Sequence, residues 1–376
     1  MKSMRILLVS PVAPPYGGMA LQAAQLERLL RTDGNSVDLF PSNFPCPKRL
    51  DIPFVRTIVR LALIGPKLWR AMAKAECVHI MACSWFYFFA VVFPAVVIGR
   101  LRSKRVVVNY RGGEAGAFFD RFGMLVKPVI GLAHQVTAPS DFLANLIMRH
   151  FQTPVAIVPN LINRGHFAFR RRERFQPKLL VTRHLENIYD IESVLKAFRV
   201  VREAMPEATL AVAGSGSQKS RLQALVAEWG LDGVTFLGSI AHAGLPAIYE
   251  QCDIYVNASR VDNFPGALLE ASSAGLAVVS TDAGGIPFLY EGGKSAWLAG
   301  VGDWRGLADG VLEIAANPDL GQRLVNGASE LLRRSEWPQV RRELYRAYGA
   351  PEELVSGGPE WRPGCSKGLA PPERTL

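Results

Sequence analysis

The 376-residue chain is short of several things, and each shortage removes a class of explanation. Its five cysteines (Cys46, Cys77, Cys83, Cys252, Cys365) are odd in number and scattered, with no CxxC pair. That argues against a disulfide framework or a zinc site and for a reducing, cytoplasmic setting. No cluster of His, Asp or Glu has metal-ligand spacing, so no metal is expected. No GxGxxG follows a strand, which leaves a nicotinamide or flavin dinucleotide unsupported and an oxidoreductase the weakest reading. The opening "MKSMRILLVSPVAPP" has basic residues before an apolar run. Only Ile6 to Val9 are strongly apolar, too few for the core of a signal peptide, and a first β-strand is expected there. The longest uncharged apolar run, residues 85–99 "WFYFFAVVFPAVVIG", is shorter than the ~20 residues a spanning helix needs and contains Pro94. A buried crossover helix between two strands is expected instead.

What is present points to a large, well-buried globular chain: 49% of residues are hydrophobic, and the length favours two domains. The net charge of +10 is unevenly placed. Residues 1–165 carry 20 Lys/Arg against 8 Asp/Glu, whereas residues 166–376 carry 23 against 25. The excess suits an anionic lipid surface, nucleic acid or a phosphorylated acceptor, or is only a solvated face.

Along the first half, "RILLVS", "SVDLF", "CVHIM", "RVVVNY", "QVTAPS" and "VAIVPN" are short apolar runs ending in turn formers. Helical segments such as "MALQAAQLERLLRTDG" lie between them, the rhythm of a parallel sheet covered on both faces. The rhythm restarts at "LLVTR" and continues through "ATLAVAG", "VTFLGS", "IYVNAS" and "AVVSTD". The expected class is α/β: two doubly wound, Rossmann-like domains facing across a cleft. The boundaries expected are 1–165 for the first domain, a linker over 166–177 within the charged "NRGHFAFRRRERFQPK", 178–335 for the second domain, a helix over 336–350 and a disordered tail over 351–376.

Ligands of such sheets bind at the carboxyl ends of strands. Gly17 and Gly18 precede a helix after the first strand, where backbone N–H groups and the helix dipole can cradle an anion, or form a plain turn. Gly214, Ser215 and Gly216 repeat the device after "ATLAVA", and Gly284 and Gly285 follow "AVVSTD". With Arg183 at the end of "LLVTR", these loops suggest a phosphate-bearing ligand. The stretch "VDNFPGALLEASSAG" sets Asp262 on a loop and Glu270 eight residues on, near a helix N-terminus whose dipole favours an ionised carboxylate. Such a group suits the paired hydroxyls of a ribose. Equally, Asp262 is a turn residue and Glu270 a dipole partner.

These residues resemble the family 4 (group 1) retaining glycosyltransferases of the GT-B fold, over roughly residues 4–348. That family carries an acidic pair in Glu-x7-Glu spacing followed by Gly and "GGIP" elements; here the stretch reads "DNFPGALLEASSAGLAVVSTDAGGIPF". The resemblance implies that Glu270 binds the ribose of a nucleotide sugar, UDP being the commonest donor, and that Asp262, Asn263, Phe264, Pro265 and Gly266 lie at the sugar. It implies that Gly17, Gly18, Arg183 and Gly214–Gly216 hold the diphosphate, that "IVPN" ends in a functional Asn160, and that "WPQVRRELYRAY" crosses back to the first domain. The departures are Asp262 for the usual first Glu, Tyr189 where the family has a diphosphate-binding Lys, and Arg111-Gly112-Gly113 where His-Gly is frequent. Arg111 then supplies compensating charge on the acceptor side. Exopolysaccharide-type members look similar to this variant.

The implied mechanism loosens the anomeric bond to an oxocarbenium-like state while the acceptor hydroxyl enters from the same face. Asp262, Arg183 and Arg111 are its expected catalytic residues, with Asp262 orienting the sugar and no covalent nucleophile. Neither a cofactor nor Mg²⁺ is required. Expected partners are the nucleotide sugar, a lipid-linked or cell-surface saccharide acceptor and an anionic inner-leaflet surface, with no nucleic acid. Two alternatives stand beside it. One is a nucleotide-sugar epimerase using His79, His134 or His184, and the other a non-catalytic polysaccharide-assembly protein.

Overall fold

A computed structural model describes residues 3–14, 17–44 and 53–356, with the side chains of 53–57 left aside. The chain forms two compact units. The first comprises Met1–Leu161 and Trp337–Gly358, and the second is built on Ile162–Glu336.

The first unit holds six parallel strands, β1 (Arg5–Ser10), β2 (Ser36–Pro41), β3 (Cys77–Ala82), β4 (Arg105–Tyr110), β5 (Gln135–Ala138) and β6 (Val155–Ile157), in the order β2-β1-β3-β4-β5-β6. Every residue of β3 is buried, as expected of a strand covered on both faces. Strand order reverses between β1 and β3, which makes the loops after those strands the natural binding crevice of this unit. Residues 85–99 do form a crossover between β3 and β4, as a π-helical turn (Phe88–Val92) running into the helix Phe93–Leu101. Only one side of it is buried: Phe88, Val92 and Val96 are in the core, but Phe93 is 46% and Leu101 69% exposed. The helix Trp337–Ala347 packs within this unit around the covered side chain of Asp33, whose carboxylate accepts from Arg341 Nε (2.5 Å), Tyr345 OH (3.2 Å) and Trp337 Nε1 (3.3 Å). The expected disordered tail begins otherwise: Glu352–Ser356 is a short helix with Leu354 and Val355 buried, and residues 357–376 lie outside the described residues.

The second unit has β7 (Lys178–Thr182), β8 (Thr209–Ala213), β9 (Val234–Gly238), β10 (Ile254–Asn257), β11 (Ala277–Thr281) and β12 (Trp297–Ala299), all parallel, in the order β12-β11-β10-β7-β8-β9. Numbered within the unit this is the 3-2-1-4-5-6 order of dinucleotide-type sheets, with its switch point between β7 and β10.

The segment expected as a linker, 166–177, is instead strapped to this unit. Phe167 and Phe175 are buried, and the Arg172 side chain is only 2% exposed. Its guanidinium donates to Asp253 Oδ1 (2.9 Å) and to the carbonyls of Cys252 (2.6 Å), Gly275 (2.8 Å) and Ala274 (3.0 Å). Arg170 pairs with the same carboxylate, and Gln176 N donates to Asp253 Oδ2 at 2.9 Å. Arginine's planar fork of donors can satisfy so many buried acceptors, which an isolated charge could not.

Candidate functional site

The switch point of the second unit assembles three of the expected side chains. Arg183 leaves β7, and Asp262 stands on the loop that leaves β10. Arg183 Nη2 donates to Asp262 Oδ2 at 2.6 Å, with side-chain exposures of 10% and 13%. Its Nε donates to Asn257 Oδ1 at 3.1 Å, on the last residue of β10. Tyr189 does not stand apart as a lost cation: its ring lies 5.0 Å from the Arg183 guanidinium, a cation–π contact that holds the arginine's flat face. Burial disfavours the charge on Arg183, but Asp262, Tyr255 and Tyr189 outweigh it and hold its pKa above the ordinary value.

Glu270 sits in the fifth position of the helix Gly266–Ser273 and is half-buried. Its Oε2 accepts from Tyr249 OH at 3.0 Å. Thr182 Oγ1, at the end of β7, lies 2.7 Å from Tyr249 OH and 3.2 Å from Tyr255 OH, and the two tyrosine rings stack at 6.1 Å. The expectation of a carboxylate favoured by the helix dipole is corrected here. Desolvation pushes the Glu270 carboxyl up to about 7, against the Tyr249 hydrogen bond and the charge of Arg183, which pull the other way. The pocket of tyrosines and Thr182 carried no signal in the sequence, because tyrosines in apolar runs read as core.

The glycine loops of this unit have a cause other than phosphate. A Cβ on Gly214 would lie 1.9 Å from the Arg183 carbonyl, and one on Gly216 2.4 Å from that of Leu185. On Gly284 (φ +55°) it would meet the Asp262 carbonyl at 2.4 Å, and on Gly285 that of Asn263 at 2.1 Å. Gly285 N donates to Asp262 O at 2.7 Å, and Leu185 N to Ser215 O at 3.0 Å. These glycines let neighbouring loops clamp the backbones that carry Arg183 and Asp262. They set the geometry of the charged pair. Asn263 and Pro265 are buried and Phe264 half-buried in the same loop, and Gly266 opens the helix that carries Glu270. Beside these loops lies a cavity of about 320 Å³ bordered by Glu186, Asn187, Asp190, Gln218, Arg221 and Arg260. Walls of both charges suit a ligand rich in hydroxyls.

The remaining expected residues belong to the first unit. Gly17 caps the helix Gly18–Thr32, and a Cβ on Gly17 or Gly18 would meet nothing within 4 Å among the described residues. Packing within the unit gives no reason for either glycine. Gly112 is different, since its Cβ would lie 2.3 Å from Ser84 Oγ, whereas Gly113 is open. Arg111, after β4, donates to Asn160 Oδ1 beyond β6. Of the histidines held in reserve, His79 is buried in the middle of β3, His134 precedes β5 at its amino end, and His184 is exposed. Within the second unit, and among the described residues, His184 makes no hydrogen bond with Asp262 or Glu270.

Residues 167–331 match the family model described as glycosyl transferases group 1. That match lies within the second unit. The chain is 26% identical over 334 residues to a sulfoquinovosyl transferase of Arabidopsis thaliana, covering 81% of this chain and 62% of that one. It is 26% identical over 221 residues to a phosphatidyl-myo-inositol mannosyltransferase of Mycobacterium leprae, covering 56% and 58%. It thus spans about six-tenths of the length of these two relatives. Among solved structures, the Anabaena protein Alr3699/HepE in complex with UDP and glucose superposes with a TM-score of 0.71 at 16% identity, over 92% of this chain and 99% of that one. The two doubly wound α/β units have the GT-B fold.

Proposed function

We propose that the chain is a group 1, retaining glycosyltransferase that moves a sugar from a nucleotide diphosphate sugar, with UDP as the carrier, to a lipid-linked or cell-surface saccharide acceptor. The observation that carries this is the meeting of Arg183, Asp262 and Glu270 at the switch point of the second unit. Glu270, steadied by Tyr249, offers acceptor oxygens to a ribose diol. Arg183 has Nε and Nη2 engaged by Asn257 and Asp262, which orients the guanidinium as a preorganised cation for the departing diphosphate. Asp262 neutralises part of that charge and orients the sugar. Gly17 and Gly18, which fill no packing need, are assigned to close approach of the donor. No cofactor or metal enters this scheme.

The acceptor reading rests on the first unit. The helices Pro53–Ala71, Phe93–Leu101 and Ala115–Gly131 pack in succession. They leave Leu61, Trp69, Leu101, Met124 and Leu125 exposed at 43–94%. Arg102 lies over Trp69 at 4.7 Å, and Arg60, Lys67, Arg70, Arg100, Arg121 and Lys127 are carried on the same three helices. Apolar side chains among cations suit an anionic bilayer surface. Among the described residues no helix is long and apolar enough to cross a membrane.

The test is thermal shift of the wild-type chain and of Glu270→Ala against UDP, GDP, ADP, TDP and their sugars. Stabilisation by one nucleotide, lost in the variant, supports the reading and names the base. No stabilisation by any of them favours a non-catalytic role. Release of an epimerised nucleotide sugar without acceptor would favour the epimerase instead.

A further inference from the structure

The first unit contains a largely buried cation with no counter-charge among the described residues. The side-chain partner of the Arg111 guanidinium is the amide oxygen of Asn160, and no carboxylate pairs with it among the described residues. Burial alone acts on its charge, pulling its pKa down to about 10. A guanidinium taken out of water is costly unless an anion joins it.

A second residue in the same place is also incomplete. Asn109, at 2% exposure, has its Nδ2 3.3 Å from His79 Nε2 and its Oδ1 without any partner. Proton placement accounts for this. Burial, then the charge of Arg111, lowers the His79 pKa to about 3, so the ring is neutral and carries one proton. Tyr348 OH, buried, lies 2.8 Å from His79 Nδ1 and has no other hydrogen-bond acceptor among the described residues, so it donates to that nitrogen. The ring proton then sits on Nε2, and Asn109 must present its oxygen to it. With the amide turned accordingly, Nδ2 becomes the group without a partner, a buried donor on the cavity that Arg111 also borders.

The geometry points to an anion site: Arg111 and the Asn109 amide together bind one oxygen of a phosphate-type group in the cavity they share with Gln22, Met81 and Leu161. Its volume, about 10 Å³, admits one water-sized atom, so a single oxygen enters and the rest of the group stays at the mouth. The group is the diphosphate of the donor or a phosphate of the acceptor. Only this choice of natural ligand rests on the glycosyltransferase reading; the site itself rests on the Arg111 cation, which no carboxylate balances among the described residues, and on the unsatisfied Asn109 amide.

The experiment is calorimetric titration of the full chain with inorganic pyrophosphate, in an Arg183→Gln background that silences the second unit's cation. Binding is expected there and should weaken at least tenfold on adding Arg111→Gln, with Arg111→Lys intermediate. Asn109→Asp places a carboxylate beside Arg111. It should abolish pyrophosphate binding without lowering the melting temperature, which keeps the test decisive should Arg111→Gln fail to fold. UDP titrated into Arg111→Gln alone separates the sources. Weakened UDP binding assigns the donor; unchanged UDP binding with a raised KM for a phosphorylated acceptor assigns the acceptor. No binding in the Arg183→Gln background, or binding indifferent to Arg111→Gln and Asn109→Asp, overturns the site. Pyrophosphate bound at Arg111 in a chain that transfers no sugar would instead leave the site standing and remove the enzyme reading.

Discussion

Glu270 should make nucleotide binding and fold stability depend on pH in opposite directions. Its carboxyl, raised to about 7 by burial, is mostly protonated at pH 6 and ionised at pH 8. A ribose diol donates two hydrogen bonds and needs the ionised form, so UDP affinity should fall below pH 7, by up to about tenfold per pH unit, with proton release on binding. Stability runs the other way. The folded pKa lies above the unfolded value of 4.5, so the native state binds the extra proton between those limits, and the fold loses stability as pH rises from about 4.5 through 7. The full shift corresponds to an upper bound of about 3 kcal/mol, lowered because Glu270 is partly exposed. Glu270→Gln keeps an acceptor for Tyr249 and cannot ionise. It should bind UDP about tenfold more weakly at pH 8 and lose both pH slopes. The assays are titration calorimetry in two buffers of different ionisation enthalpy and urea denaturation from pH 5 to 8. A wild-type UDP affinity flat across that range, or the same slopes in Glu270→Gln, would exclude an ionising Glu270 as the ribose acceptor.

Glycines that look alike in sequence should behave differently. Gly284→Ala, forced against the Asp262 carbonyl at positive φ, should lower stability by about 1–3 kcal/mol, whereas Gly18→Ala should leave the melting temperature unchanged and weaken only donor binding. Arg183→Gln should reduce turnover by about 10²–10³, as loss of a positioned charge at a leaving group does, and initial rates under saturating donor would show it. Asp253→Ala strands the buried Arg172 and should cost about 3–5 kcal/mol, readable as a lower urea midpoint. Replacing Trp69, Leu101 and Met124 together with Ser should reduce co-sedimentation with anionic liposomes at salt concentrations where charge alone is screened.

Much of the sheet framework was legible because parallel strands buried on both faces read as unbroken apolar runs. β3, β4, β7 and β10 could be placed within a residue or two for that reason. The acidic pair was legible through its spacing and neighbours. The partners of those acids were not, because Tyr249, Tyr255 and Thr182 reach Glu270 only through strand order, and nothing local in the chain announces that β7 lies beside β10. In the loops after β8 and β11 the sequence does not separate two uses of glycine, since a missing Cβ serves the approach of a backbone as well as that of a ligand. The charged stretch around Arg172 misled for a similar reason. A guanidinium that saturates buried carbonyls is written with the same letter as one waving in water, and its partners at Cys252 and Ala274 are far along the chain.

The second unit enters the chain at Ile162 and leaves it at Glu336, and its two ends are stitched side by side. Ile162 N donates to Ser335 O at 3.0 Å, and Arg164 Nη1 pairs with Glu336 Oε1 at 2.9 Å. It is therefore a cassette set into another domain rather than a bead following it. Arg183, Asp262 and Glu270 lie wholly inside that cassette, so residues 162–336 can be lifted out, or exchanged for the equivalent piece of a relative, without cutting the charged pair or the tyrosine pocket. On the proposed reading, exchanging that piece would change the sugar delivered and leave every residue of the first unit as it was.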